Sequence, residues 1–259
     1  MIKLGVCTSI SNIKKAAAAG FDYLEAALNG IAAMSDEDFE KALGEVNQSP
    51  IKVEACNCLL PGSLKVVGPD VNAQALHEYL ENAFTRAEKL GTKVVVFGSG
   101  AARGVPEGFD VPQAWRQIAN FLRLCERHAA DHGITVVIEP LRSGECNIIN
   151  YVTEATILAS LVQMEHICVL GDTYHMAFGH EGFNSLKMAG SLLKHIHTAN
   201  AIGRVYPKIG DGEKYDELFE TLTAMGYEGR VSVEGRCEDF DTDAKAAYEA
   251  LKAARDKNN

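Results

Sequence analysis

Short β-branched or apolar runs recur along the chain, separated by longer stretches rich in alanine, leucine and charge. Eight runs predict strands: Lys3–Cys7, Tyr23–Ala27, Lys52–Ala55, Lys93–Phe97, Thr135–Glu139, Ile167–Gly171, His195–Thr198 and Arg230–Glu234. Successive starts lie 20, 29, 41, 42, 32, 28 and 35 residues apart, each interval wide enough for a loop, a helix and a return loop. The intervening stretches carry helical periods. In Asn72–Leu90, Ala73, Leu76, Leu80, Ala83, Phe84, Ala87 and Leu90 fall near the 3.6-residue repeat, and Gly91 supplies a stop. Pro112–His132 repeats the design, with proline near the start and Gly133 at the end, and Asp241–Lys257 closes the chain as a helix.

Strict alternation of buried strands and amphipathic helices implies a parallel sheet flanked by helices, either open and doubly wound or closed into a barrel. A dinucleotide-binding open sheet carries glycines directly after its first strand, whereas Thr8-Ser9-Ile10-Ser11 stands there. Eight units in 259 residues, undivided by any linker, therefore predict an α/β (β/α)8 TIM barrel, one domain over residues 1–259. No fixed-period self-similarity suggests a helical repeat array.

Composition narrows the class. With 35 acidic against 25 basic residues the net charge is −10, which disfavours phosphate backbones and hence nucleic acid. No apolar run approaches a membrane span, and the first residues read as a strand rather than a secretory signal; the expectation is a cytoplasmic protein without a membrane partner. Seven cysteines without a repeated CxxC spacing fit reduced thiols. Cys56 and Cys58, one residue apart, would share one face of a short strand and read as packed thiols, and Gly98-Ser99-Gly100 reads as a tight strand exit rather than a phosphate loop.

Active sites of such barrels lie at the C-terminal ends of the strands, and four consecutive strands end in a metal-competent residue: Glu139, Asp172, His197 and Glu234. Three carboxylates and an imidazole suit one divalent metal ion, with Mn²⁺, Mg²⁺ or Co²⁺ favoured and Zn²⁺ compatible. Their separations of 33, 25 and 37 residues acquire meaning from placement on successive strands. His195 shares the parity of His197 one layer deeper and reads as a buried hydrogen-bonding group; Glu25 ends the second strand with its direction open.

The phrases Ile138-Glu139-Pro140-Leu141, Gly171-Asp172-Thr173-Tyr174-His175-Met176, His195-Ile196-His197 and Val233-Glu234-Gly235 resemble the sugar isomerase and epimerase branch of the xylose-isomerase-like barrels, which includes the ketose 3-epimerases. The resemblance runs from the first strand to the last and is most specific over Thr135–Arg236. It implies that Glu139 and Glu234 are the catalytic acid and base as well as metal ligands. It also implies that Glu145, His175 and Arg204 border the substrate, Arg204 through a one-residue loop shift, and that the protein is a homo-oligomer, a dimer or tetramer.

The chemistry follows from the residues too. Proton removal beside a carbonyl creates an enediolate, which a chelating metal stabilises; a carboxylate on each face can then invert that carbon. Return of the proton to the neighbouring carbon would isomerise the sugar instead. The expected activity is thus metal-dependent epimerisation or isomerisation of a small-molecule sugar, a ketose or relative. Alternatives that begin with the same proton are a cyclic-ketose dehydratase and a modified-sugar lyase. An apurinic-site endonuclease would need three further ligands, and Cys56-Asn57, Phe97-Gly98-Ser99 and the loop after His197 do not supply them. A non-catalytic sugar-binding barrel would not require two opposed carboxylates.

Overall fold

A computed structural model describes residues 1–258. Eight parallel strands close in sequence order into a barrel, β1 pairing with β2 and with β8. The strands are β1 (Lys3–Cys7), β2 (Tyr23–Ala27), β3 (Val53–Asn57), β4 (Val94–Phe97), β5 (Thr135–Ile138), β6 (Ile167–Asp172), β7 (Leu193–Thr198) and β8 (Arg230–Val233). The helices are α1 (Ile13–Ala19), α2 (Leu28–Ala33), α3 (Asp36–Asn47), α4 (Ala73–Leu90), α5 (Gly100–Arg103), α6 (Val111–His132), α7 (Val152–Val162), α8 (Thr173–Phe178), α9 (Asn184–Ala189), α10 (Tyr215–Ala224) and α11 (Phe240–Lys257).

Local chemistry sets the long helices where the period predicts them. Asn72 Oδ1 accepts the Ala75 N–H at 3.1 Å, and Asp110 Oδ2 accepts the Gln113 N–H at 2.9 Å. Each such cap contributes about 1 kcal/mol by satisfying an otherwise free amide. Helix α6 ends at Gly133, whose φ of +60° is the left-handed conformation that stops a helix. Its buried face, Ala114, Ile118, Phe121, Leu122, Cys125 and Ala129, packs into the layer between helices and barrel.

Two expectations shift. Strand β3 begins and ends later than Lys52–Ala55, and its pairing with β2 slips at Leu24/Glu25. The chain also holds more than one helix per strand: α2, α5, α8 and α9 are short pieces of four to six residues, too brief to display a hydrophobic period.

The barrel interior is layered. Lys3, Glu54 and Arg230 form an ion cluster at the floor, with Arg230 Nε 2.9 Å and Lys3 Nζ 2.8 Å from Glu54 carboxylate oxygens. Above it sit Tyr23, Ala55, Val94, Val96, Val137, Cys168 and Leu170. Higher still the interior turns polar, and this polar stretch leads to the strand ends. No helix among the described residues is long and apolar enough to cross a membrane.

Candidate functional site

Glu139, Asp172, His197 and Glu234 converge at the C-terminal mouth: each presents a donor atom within 4.8 Å of those of the other three. Strand register brings them together, since Asp172 pairs with His197 across β6 and β7, and β8 delivers Glu234 directly after Val233. His197 is the hub. Its Nδ1 lies 3.2 Å from Glu139 Oε1 and 3.3 Å from Glu234 Oε2, while its Nε2 lies 2.9 Å from Glu25 Oε1. An imidazole whose Nε2–H is given to Glu25 presents Nδ1 to the two glutamates.

Glu25 therefore points inward, which resolves the direction that the sequence left open. It is fully buried, and its other oxygen meets His195 Nε2 at 2.8 Å and accepts from Ser232 Oγ at 2.6 Å; Ser232 in turn meets Tyr23 Oη at 2.7 Å. His195 sits below the ligand cluster as a buried hydrogen-bonding group, as its parity implies.

Asp172 has two jobs. Its Oδ1 caps α8 by accepting the Tyr174 N–H at 2.7 Å, whereas its buried Oδ2 has no hydrogen-bond partner. His175 Nδ1 accepts the Arg142 N–H at 3.2 Å, so Nε2 carries the hydrogen; that buried atom is also unpartnered and lies 3.6 Å from Asp172 Oδ2. Two orphaned polar atoms side by side mark a place for something absent from the protein itself.

The electrostatics agree. Burial, reinforced by Glu234, pushes Asp172 up to about 6, and burial with the charges of Glu234 and Asp172 raises Glu139. Burial also opposes ionisation of Glu234, but His197 and Arg204 bring it down to about 2. Burial alone would lower His197, yet Glu25 and Glu234 lift it well above the usual imidazole range. Three carboxyl groups crowded this closely repel one another, and a divalent cation bound by Glu139, Asp172, His197 and Glu234 would relieve that repulsion while occupying Asp172 Oδ2. The donor set fits such an ion.

Arg204 reaches the cluster from the loop after β7. Its Nη2 is 2.5 Å from Glu234 Oε2 and 3.7 Å from Asp172 Oδ2, its Nη1 is 3.8 Å from Glu145, and its guanidinium lies 4.7 Å from the Tyr174 ring centre. Glu145 is at the rim, bonded to Arg142 Nε at 2.8 Å; it connects to the site through Arg204 and has no direct bond to Glu139.

Three supports escaped the sequence reading. Asn57 Nδ2 donates to Glu234 Oε1 at 2.9 Å, and its inward parity with Ala55 was the available signal. Arg103, fully buried, donates to Phe97 O at 2.8 Å and Glu139 O at 2.7 Å, tying the ends of β4 and β5. Gly98 leaves room for Glu139: a Cβ there would stand 2.0 Å from Glu139 Oε2. The exit Gly98-Ser99-Gly100 is thus a tight one, opening the short helix α5.

The cysteine pair needs correction. Cys56 is packed outward, 3.4 Å from Thr92 Oγ1, but Cys58 lies beyond the strand at a φ of +51° and is exposed at the site's mouth. The strand ends at Asn57, so the alternation that would place both thiols on one face stops before Cys58. Beside Glu234 opens a cavity of about 690 Å³, walled by Cys7, Ser9, Ile10, Ala26, Asn57 and Cys58 among others.

Comparison with known proteins places this geometry in context. A 3-dehydro-D-guloside 4-epimerase of Escherichia coli is 32% identical over 122 residues, covering 47% of this chain and 46% of that protein, so this alignment spans about half of each. A D-psicose 3-epimerase of Agrobacterium fabrum is 26% identical over 86% of the chain and 77% of its own length. The crystal structure of a D-allulose 3-epimerase from Methylomonas sp. superposes with a TM-score of 0.85 at 21% identity, covering 98% of this chain and 97% of the other, and so shares the fold. The family model described as a xylose isomerase-like TIM barrel matches residues 13–257, nearly the whole chain, and the protein belongs to that family.

Proposed function

We propose that the protein is a metal-dependent epimerase or isomerase that moves a proton at the carbon beside the carbonyl of a small ketose, through an enediolate. The observation that carries this reading is the placement of Glu139 and Glu234, which approach the same His197 Nδ1 at 3.2 and 3.3 Å from strands β5 and β8. The names of the relatives, a 4-epimerase and a 3-epimerase of sugars, support it.

Bound by Glu139, Asp172, His197 and Glu234, a divalent ion such as Mn²⁺, Mg²⁺ or Co²⁺ would supply Lewis-acid polarisation of the carbonyl. Glu234 and Glu139 act as the two proton-transfer groups, one removing the proton and the other returning it. Asn57 holds Glu234 by Oε1, while Oε2 faces His197 Nδ1 and Arg204. His175 offers its Nε2–H to a sugar oxygen, and Arg204 covers the site from the loop after β7. Burial of Glu139 and Asp172 keeps water from competing with these contacts.

The mouth favours an unphosphorylated sugar. Its walls offer hydroxyls and carboxylates, and the cations beside it are already paired, Lys41 with Glu37 at 3.0 Å and Asp38 at 3.8 Å, and Arg204 with Glu234. Phosphate recognition calls for free cationic donors.

The test is hydrogen exchange. Mn²⁺-loaded protein incubated with a panel of ketoses in deuterated water should incorporate deuterium beside the carbonyl, and Glu234→Gln should lower that rate by about 100-fold or more with a far smaller change in sugar affinity. Binding without exchange across the panel would leave a sugar-binding barrel in place of an enzyme.

A further inference from the structure

A second set of donors overlaps the first. Cys7, at the end of β1, brings its sulfur within 4.8 Å of donor atoms of both His197 and Glu234, while it stands outside the group formed with Glu139 and Asp172. The alternation of β1 explains the direction: Leu4 and Val6 pack toward the helices, so Gly5 and Cys7 face the barrel axis. Cys7 is half-buried and lines the cavity of about 690 Å³, so a solvated ion can reach it. Its sulfur makes no hydrogen bond among the described residues, and it is free of any disulfide.

We propose that Cys7, His197 and Glu234 form an alternative seat for a soft or borderline divalent ion, such as Zn²⁺ or Cd²⁺, next to the carboxylate-rich seat and exclusive of it. The proposal rests on the preceding reading only for the shared residues His197 and Glu234.

Ligand chemistry divides the two seats. Mn²⁺ and Mg²⁺ prefer the oxygens of Glu139, Asp172 and Glu234, whereas thiolate, imidazole and one carboxylate make the N, S, O set that zinc and cadmium favour. A free thiol is protonated at neutral pH, since its ordinary value is about 8.5. Binding then exchanges ions: the S–H bond breaks, the metal–sulfur bond forms and one proton leaves to solvent for each metal bound. With His197 and Glu234 drawn toward Cys7, Glu139 and Asp172 lose their shared centre, so a soft metal inhibits by displacement rather than by blocking the mouth.

The experiment is a Cd²⁺ titration of metal-free protein, followed through the ultraviolet thiolate-to-cadmium charge-transfer band. Cys58→Ser/Cys237→Ser serves as the background, because these two thiols are the exposed ones. The band should saturate at one equivalent, disappear on addition of Cys7→Ser, and be suppressed by excess Mn²⁺. Cys7→Ser should weaken Cd²⁺ binding by about tenfold or more while Mn²⁺ affinity, read by electron paramagnetic resonance, changes by less than about threefold. A band that persists in Cys7→Ser, that never forms, or that survives in protein shown by electron paramagnetic resonance to have bound Mn²⁺ overturns the proposal. A protein that gives the Cys7 band yet binds none of Mn²⁺, Mg²⁺ and Co²⁺ leaves this seat standing and removes the metal-dependent epimerase reading instead.

Discussion

Gly98→Ala probes how closely the position of Glu139 is controlled. The added Cβ would lie 2.0 Å from Glu139 Oε2 and 3.2 Å from its Cδ, so the carboxylate must retreat by about 1 Å or more to reach ordinary van der Waals contact. The backbone at Gly98 is outside the left-handed region, so alanine adds no conformational strain and the effect is one of space. Because the displaced atoms end a side chain, the apo protein should lose only about 1 kcal/mol of stability. The site should suffer more. Misplacement of a reacting group by about 1 Å costs on the order of 100-fold in turnover, and disturbance of a ligand's surroundings costs about 10–100-fold in metal affinity, equivalent to about 1.4–2.7 kcal/mol. Calorimetric titration with Mn²⁺, turnover on the best ketose of the panel and thermal melting of the apo protein separate these terms. Wild-type Mn²⁺ affinity and turnover in Gly98→Ala would refute the argument that the glycine sets the carboxylate's place.

Arg103→Met should destabilise the protein by about 3 kcal/mol in urea unfolding, because Glu139 O is left without a donor while Phe97 O and Ile149 O keep amide partners at 3.2 and 3.1 Å. An unchanged midpoint would mean that the buried guanidinium is dispensable. At the barrel floor, burial works against ionisation of Glu54, but Lys3 and Arg230 overcome it and hold the carboxyl below its usual range. Its contribution is therefore complete above the unfolded carboxylate value near about 4.3 and is lost as the pH falls through the lower folded value. Glu54→Gln should cost about 1–2 kcal/mol at neutral pH and progressively less below about pH 4, and a penalty independent of pH would contradict this account.

The barrel was legible because its signals are local and repeated: buried strands of four to six residues, caps such as Asn72 and Asp110, and stop glycines after α4 and α6. The four strand-end donors were legible for the same reason, since strand parity tells which residues face the axis. What connects them was not. Arg103 lies on a helix of four residues, Asn57 between two cysteines, and Glu25 more than a hundred residues from the histidines it contacts. Closure of the barrel brings Asn57 to Glu234 and Glu25 to the histidines, and pairing of β4 with β5 brings Arg103 to Glu139. Cys58 failed for the opposite reason: a left-handed residue ended the alternation on which its placement relied.

The barrel is divided at its middle in an unequal way. All four converging donors come from β5 onward, yet Glu25, Asn57, Gly98 and Arg103, which orient His197, Glu234 and Glu139, belong to the first four strands and their loops. A fragment beginning at Thr135 would contain every donor and lack the side chains that aim three of them. Transplanting the quartet alone into another barrel would transfer composition without geometry, and a recombined barrel would have to inherit both halves as a matched pair.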